Sequence, residues 1–155
     1  FRMASDLPPR QAEYSRAEVL SAVQSLHATI EVPDSRFEDF VGAGEAQLIA
    51  DCACACWLVV GPPMPARWRT IDLAAHPVRV LQGEVEVALG RGANVLGDPR
   101  TALAWIANEL ATHGEGLQAG ALVTTGTCIK PLPVTEGDEV VLDFGDFGSV
   151  AGRFA

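Results

Sequence analysis

Val78-Arg79-Val80-Leu81-Gln82-Gly83-Glu84-Val85-Glu86-Val87-Ala88-Leu89 reads as a β-hairpin turning about Gln82-Gly83. Val85, Val87 and Leu89 alternate with Glu84, Glu86 and Ala88, so the second strand is expected to bury one face. Beyond the hairpin, Asp98-Pro99 opens the clearest helix of the chain. Asp caps it and Pro suits the first helical position. Leu103, Ile106, Ala107 and Leu110 form its apolar stripe, and His113-Gly114 ends it. Further strands are expected at Leu122–Thr125, Glu139–Phe144 and Ser149–Phe154, with a tight turn at Glu136-Gly137-Asp138.

Upstream, Ser15 and Glu18 form a capping box before Val19, Leu20, Val23 and Leu26, which predicts a helix over 16–28. Its exit runs into a strand carrying Ile30-Glu31-Val32. Ala46 to Asp51 reads as a short helical piece, Cys54 to Val60 as a strand ended by Gly61-Pro62-Pro63, and 62–70 as a loop with Trp68. Short strands outnumber βαβ units, so the fold class is α+β: a mixed, curled sheet or partial barrel with two main helices.

The 155 residues suit one domain, with 48% hydrophobic and 20% charged residues giving material for a core. A formal charge of −9, with Lys130 the single lysine, argues against phosphate-backbone binding. An anionic substrate would be repelled at long range and needs a local positive centre such as a metal ion. No apolar run reaches the length of a membrane helix. Crowding of Cys52, Cys54 and Cys56 is no disulfide framework, and a reducing cytoplasm is the expected home. The chain begins at Phe1, and a preceding segment is expected to be missing.

Four groups of residues could carry chemistry. Glu31 lies among apolar neighbours, where a bare carboxylate is costly. It is either ion-paired, with Arg36 the nearest partner, or an oxygen ligand to a hard divalent cation. Asp34 and Arg36 are expected to brace the turn that follows. The alternating cysteines 52, 54 and 56 lack paired metal-ligand spacing, so core packing is the better account. The histidines at 27, 76 and 113 show no motif linking them to a nucleophile. In Gly90-Arg91-Gly92-Ala93-Asn94-Val95, valine at 95 breaks a dinucleotide fingerprint, leaving a loop that fixes the entrance to the Asp98 helix. Thr124-Thr125-Gly126-Thr127-Cys128 is either a strand ending in a turn or a ring of hydroxyl and backbone N–H groups for a substrate carboxylate.

Taken in order, the chain resembles the C-terminal two-thirds of the 2-keto-4-pentenoate hydratase/4-oxalocrotonate decarboxylase family, within the wider fumarylacetoacetate hydrolase fold. The resemblance rests on Ile30 to Arg36, Ile49-Ala50-Asp51, Val59-Val60-Gly61-Pro62, Ile71-Asp72-Leu73 and the block from Gly92 to Asn108. Gly116 to Gly120, Thr125 to Cys128 and Gly148-Ser149-Val150 extend it. It implies Mg²⁺ or Mn²⁺ held by three carboxylates: a Glu-x-Glu pair expected just before Phe1, and Glu31. It implies Asp51 and Thr127 as catalytic residues, with Thr125, Gly126, Thr127 and Cys128 binding substrate. The implied substrate is a small 2-hydroxy- or 2-oxo-dienoic acid, and the implied activity is hydration to a 4-hydroxy-2-oxo acid in aromatic meta-cleavage catabolism. A decarboxylase on the same scaffold, or an inactive supporting subunit, are the alternatives. A homo-oligomer, or a hetero-complex with a paired family enzyme, is the implied assembly. The chain departs from the family where Cys52-Ala53-Cys54 replaces the common Asn-Ala-Ser, and where Ile129-Lys130-Pro131 replaces a small or polar run.

Overall fold

The computed structural model describes all 155 residues. In chain order the elements are β1 (Arg2–Met3), α1 (Arg16–Ser21), β2 (Val23–Ser25), β3 (His27–Val32) and α2 (Glu45–Ala50). Then follow β4 (Trp57–Pro63), β5 (Pro77–Gln82), β6 (Val85–Arg91), α3 (Pro99–Thr112), β7 (Glu139–Asp143) and β8 (Ser149–Arg153). The fold is α+β, but every strand pairing is antiparallel, and the sheets are open pieces: β1-β2, β3-β4 and β6-β5-β7-β8. No mixed sheet or closed barrel forms. Only α3, with 14 residues, is a long helix.

The capping box forms: the Ser15 hydroxyl accepts from Glu18 N at 3.2 Å, and Glu18 Oε2 accepts from Ser15 N at 2.8 Å. The helix expected to reach residue 28 nevertheless stops at Ser21, because Val23–Ser25 pairs with Arg2–Met3. Val19 and Val23 are both buried in the main core, so their apolar spacing marks burial correctly while tertiary pairing decides the conformation. The strand expected at Cys54–Val60 begins only at Trp57, because Cys52, Ala53 and Cys54 adopt left-handed backbone (φ 54°, 53° and 63°). Its two prolines sit on an edge strand, where a missing ladder N–H does little harm.

The hairpin turns about Gly83-Glu84, one residue later than expected, with Gln82 opposite Val85 and Gly83 at φ +60°. β7 then pairs with the free edge of β5, and β8 with β7. Arg79 ties this sheet together by donating to Glu86 at 2.7 Å and lying 3.5 Å from Asp143, the residue opposite it. Val78 and Val80 of β5 are buried, but the expected buried face of β6 is not. Val85 and Leu89 are 64% and 67% exposed, since β6 is an edge strand whose apolar side nothing in this chain covers.

Asp98 caps α3 by accepting from Arg100 N at 2.8 Å, and the Arg100 guanidinium returns to the same carboxylate at 2.7 Å. Leu103 and Ala107 bury against Met3, Val19 and Trp68, with Ile106 and Leu110 half-buried beside them. Asn108 brackets Tyr14, accepting from its N at 2.7 Å and donating to its O at 3.0 Å. The strand expected at Leu122–Thr125 is instead an extended segment over 121–123 against the chain start: Met3 N donates to Ala121 O and Val123 N to Phe1 O. A second, smaller core joins Ala28, Ile30 and Val150.

Leu103 is fully buried, whereas Ile49 is 68% exposed. Leu103→Ala is expected to cost about 2–5 kcal/mol in urea unfolding, and Ile49→Ala to stay within about 0.5 kcal/mol of the parent chain.

Candidate active site

Strand alternation divides β3 into two faces. Ala28 and Ile30 are buried in the smaller core and alternate with His27, Thr29 and Glu31; residues of both faces, Ile30 and Val32 as well as His27, Thr29 and the exposed Glu31, border a cavity of about 470 Å³. Opposite walls come from Val78 and Val80 of β5, Leu142 of β7 and the segment from Leu122 to Val134. The cavity falls in the size range of small-molecule sites.

Glu31 is not ion-paired. The chain's salt bridges all lie elsewhere, and Arg36, its nearest candidate partner in sequence, is taken by Asp51. Asp51, 5% exposed at the end of α2, accepts from Ser35 Oγ at 2.7 Å, from Arg36 N at 3.2 Å and from Arg36 Nε. Arg36 also donates to Ala50 O at 3.2 Å, and Asp34 N donates to Cys54 O at 2.9 Å. The turn after β3 is thus clamped onto the end of α2. The Ser35 hydroxyl and the Arg36 guanidinium hold the Asp51 carboxyl below the usual carboxylate range. Asp51 does not line the cavity; its carboxylate is committed to the clamp.

Thr125, Gly126, Thr127 and Cys128 do line the cavity. Gly126 has φ +107°, a conformation that favours glycine. Thr127 Oγ1 donates to Ile129 O at 2.8 Å and accepts from Ile129 N at 3.3 Å, which turns the chain. Asn94 donates to Cys128 O at 2.6 Å. A Cβ on Gly90 would stand 2.1 Å from that same carbonyl, and one on Gly92 would stand 1.9 Å from Leu73 O. The glycines of 90–92 therefore let two neighbouring segments lie flat on β6 and on the turn that leads to α3. Burial pushes the Cys128 thiol up, so it faces the cavity as a neutral thiol rather than a nucleophilic thiolate.

The cysteines at 52, 54 and 56 are not core residues as expected. Cys52 and Cys56 are exposed and Cys54 is half-buried, all as free thiols. The left-handed turn carries them outward, and none lines the cavity. Such backbone is unfavourable for Cys and easier for Asn, the residue common at position 52 in the family resembled.

Two imidazoles, passed over in the sequence, border the cavity. His27 Nδ1–H donates to Gly61 O at 2.8 Å, which leaves Nε2 to accept from Ser25 Oγ at 2.8 Å. His76 Nε2 donates to Phe144 O at 2.9 Å and its ring stands edge-on to Phe147. The period of two through His27, Thr29 and Glu31 was the available signal for the first. For a divalent cation the chain offers one carboxylate at the cavity, Glu31. No group of three or more His, Cys, Asp or Glu side chains converges anywhere in it. The donor type fits Mg²⁺ or Mn²⁺, and the number of donors does not complete a site.

The antiparallel α+β scaffold thus brings one carboxylate and a hydroxyl-rich turn to the border of one cavity. The chain matches Fumarylacetoacetate (FAA) hydrolase C-terminal over residues 8–155, and it belongs to that family. It is 35% identical over 137 residues to the 4-oxalocrotonate decarboxylase of Pseudomonas putida, covering 88% of this chain and 51% of that protein. It is 31% identical over 145 residues to 2-keto-4-pentenoate hydratase 1 of Dechloromonas aromatica (strain RCB), covering 94% and 54%. The structure of the 4-oxalocrotonate decarboxylase from Pseudomonas putida G7, complexed with magnesium and adipate, matches with a TM-score of 0.87 at 31% identity. That match covers 99% of this chain and 57% of the other. The chain spans about half the length of these relatives.

Two outcomes follow from the clamp and the turn. A carboxyl whose folded pKa is depressed contributes its full stabilisation at pH 7 and loses it as pH falls through the folded value. The urea midpoint of the parent chain should therefore drop more steeply below about pH 4 than that of Asp51→Asn. Cys52→Asn should raise stability at pH 7 by about 0.5–1 kcal/mol through relief of left-handed strain; an unchanged or lower urea midpoint would refute the strain argument.

Proposed function

We propose that this chain forms the substrate cavity of a divalent-metal-dependent lyase that adds water to a 2-hydroxy-2,4-dienoate, giving a 4-hydroxy-2-oxo acid. The observation that carries the reading is the unpaired Glu31 carboxylate on the wall of a cavity shared with Thr125–Cys128. Glu31 would hold Mg²⁺ or Mn²⁺ as one of several oxygen ligands. When bound, the ion supplies Lewis-acid stabilisation for negative charge developing on the substrate's 2-oxygen.

The chain's own residues supply binding, orientation and exclusion of water. The Thr125 hydroxyl and the N–H groups around Gly126 are the hydrogen-bond donors for the substrate carboxylate, while Thr127, whose hydroxyl donates to Ile129 O, holds the turn that presents them. Gly126, with no side chain, lets the substrate approach that backbone closely. The apolar walls from β5 and β7 keep bulk water from the dienoate, which strengthens the electrostatic contacts inside. In this reading Asp51 acts through the turn it clamps, and so positions Glu31 rather than touching substrate. The thiol of Cys128, held neutral, adds no charge beside the substrate carboxylate.

Decarboxylation on the same scaffold is the second reading, favoured by the 35% identity to a decarboxylase. The two are separated by product analysis with Mg²⁺: water addition to 2-hydroxypenta-2,4-dienoate without gas release, against CO₂ release from 2-oxo-3-hexenedioate. Glu31→Gln should lower kcat/KM on the accepted substrate at least 100-fold, by about 2.7 kcal/mol of lost transition-state stabilisation. Glu31→Asp should recover part of it. Full activity in Glu31→Gln, with a parent-like circular dichroism spectrum, would remove the ligand assignment.

A further inference from the structure

We propose that Asn94 is a positioning residue for the substrate carboxylate. It does not line the cavity, and it acts by holding the turn whose N–H groups meet that carboxylate. The proposal rests on the lyase reading above, which gives the Thr125–Cys128 turn that task.

Asn94 sits on a well-tethered piece of backbone. The turn over Gly92–Asn94 links the end of β6 to the approach of α3. Gly92 N donates to His76 O at 3.1 Å and Ala93 N to Ala74 O at 2.8 Å. Val95 N donates to Gly92 O and Gly97 N to Ala93 O, both at 3.0 Å. Gly92 and Val95 are buried. The place of Asn94 is therefore set by the loop ahead of β5 and by the turn's own bonds.

Three contacts carry that placement across to the substrate turn. Asn94 Nδ2 donates to Cys128 O at 2.6 Å. A Cβ on Gly126 would stand 3.6 Å from Val95 Cγ1, so Val95 packs directly behind Gly126. A Cβ on Gly90 would stand 2.1 Å from Cys128 O and 2.7 Å from Ile129 Cγ2, so β6 meets the turn through bare backbone. Packing sets how far the turn stands off, whereas the Asn94 bond is directional. The same peptide group is held at its other end, where Ile129 N donates to Thr127 Oγ1 at 3.3 Å. Pinned at both its oxygen and its N–H, this peptide limits the rotation of the N–H groups just upstream, at Gly126 to Cys128.

The kinetic consequence follows from the charge these groups meet. A carboxylate is charged in the ground state and in the transition state alike. Misaligning its donors weakens both equally, which raises KM and leaves kcat nearly unchanged. A metal ligand that stabilises developing charge lowers kcat instead.

The test uses the full-length gene product with Mg²⁺ at pH 7.5, by steady-state kinetics on the accepted substrate and calorimetric titration of unreactive 2-oxohexanoate. Asn94 is exposed, so its variants should keep the parental circular dichroism spectrum. Asn94→Ala should raise KM and the 2-oxohexanoate Kd about fivefold, the net worth of one neutral hydrogen bond, with kcat within twofold. Asn94→Asp keeps the size but sets a carboxylate against the Cys128 carbonyl, so it should lose more than Asn94→Ala.

Parental affinity in Asn94→Asp beside a loss in Asn94→Ala would overturn the proposal, because size rather than donation would then matter. A fall in kcat at unchanged KM in Asn94→Ala, no change in either constant, or loss of the parental spectrum would overturn it as well. If such a failure comes with the Glu31→Gln loss intact, the lyase reading stands. If Glu31→Gln is fully active while the Asn94 variants weaken 2-oxohexanoate in the order given, the turn remains the carboxylate site and the metal-ligand reading falls.

Discussion

Asp51 and Arg36 meet where the end of α2 closes over the turn that leaves β3, and this ion pair determines what Glu31 can do. A buried carboxylate needs its partners supplied, and Asp51 takes three of them from two consecutive residues, Ser35 and Arg36. The guanidinium that could have neutralised Glu31 is thereby removed from the β3 face. Glu31 is left exposed at the cavity with no protein cation beside it, which keeps its carboxylate free for the ligand role proposed above. The clamp also fixes the direction in which β3 ends, since Asp34 N is hydrogen-bonded to Cys54 O on the far side of the same turn.

The opposite wall is built with little side-chain bulk. Cys128 O lies against Gly90 too closely for any Cβ, and Asn94 holds that carbonyl from the turn before α3. α3 in turn is anchored by Asp98 and Arg100, whose pairing is half-sheltered and joined to Ile71 O. The hydroxyl-rich segment 125–128 is therefore tied through Asn94 to the turn that leads into the longest helix, although its backbone makes no regular ladder. The cavity between this segment and β3 follows from two close-packed walls that a chain without glycines at 90, 92 and 126 could not form.

The sequence carried the parts of this arrangement that depend on local chemistry. Ser15/Glu18 and Asp98-Pro99 marked helix starts because a cap is a contact between near neighbours. Val78–Leu89 marked a hairpin because alternation is read within one strand. What failed needed a distant partner. Val19, Val23 and Leu26 fit a helical stripe, yet Val23 lies in a strand because Arg2–Met3 offers an edge. The alternate cysteines 52, 54 and 56 looked like packed strand residues, but the backbone turns left-handed over 52–54 and the strand begins only at Trp57, leaving Cys52 and Cys56 exposed. β6 looked half-buried by its valines, and burial requires an opposing layer that this chain does not provide. At the site, Glu31 and Thr125–Cys128 were legible as residue types, whereas the commitment of Asp51 to Arg36, and the place of His27 and His76 on the same cavity, depend on tertiary geometry alone.

The most direct test is to locate a bound ion. Crystals of the full-length gene product grown with Mn²⁺ and 2-oxohexanoate, examined by anomalous scattering, should show manganese within about 2.6 Å of a Glu31 carboxylate oxygen, completed by oxygen ligands beyond those of these 155 residues, with the oxo acid between it and Thr125–Cys128. Manganese bound elsewhere, with the Glu31 carboxylate facing only solvent or a protein cation, would contradict the account.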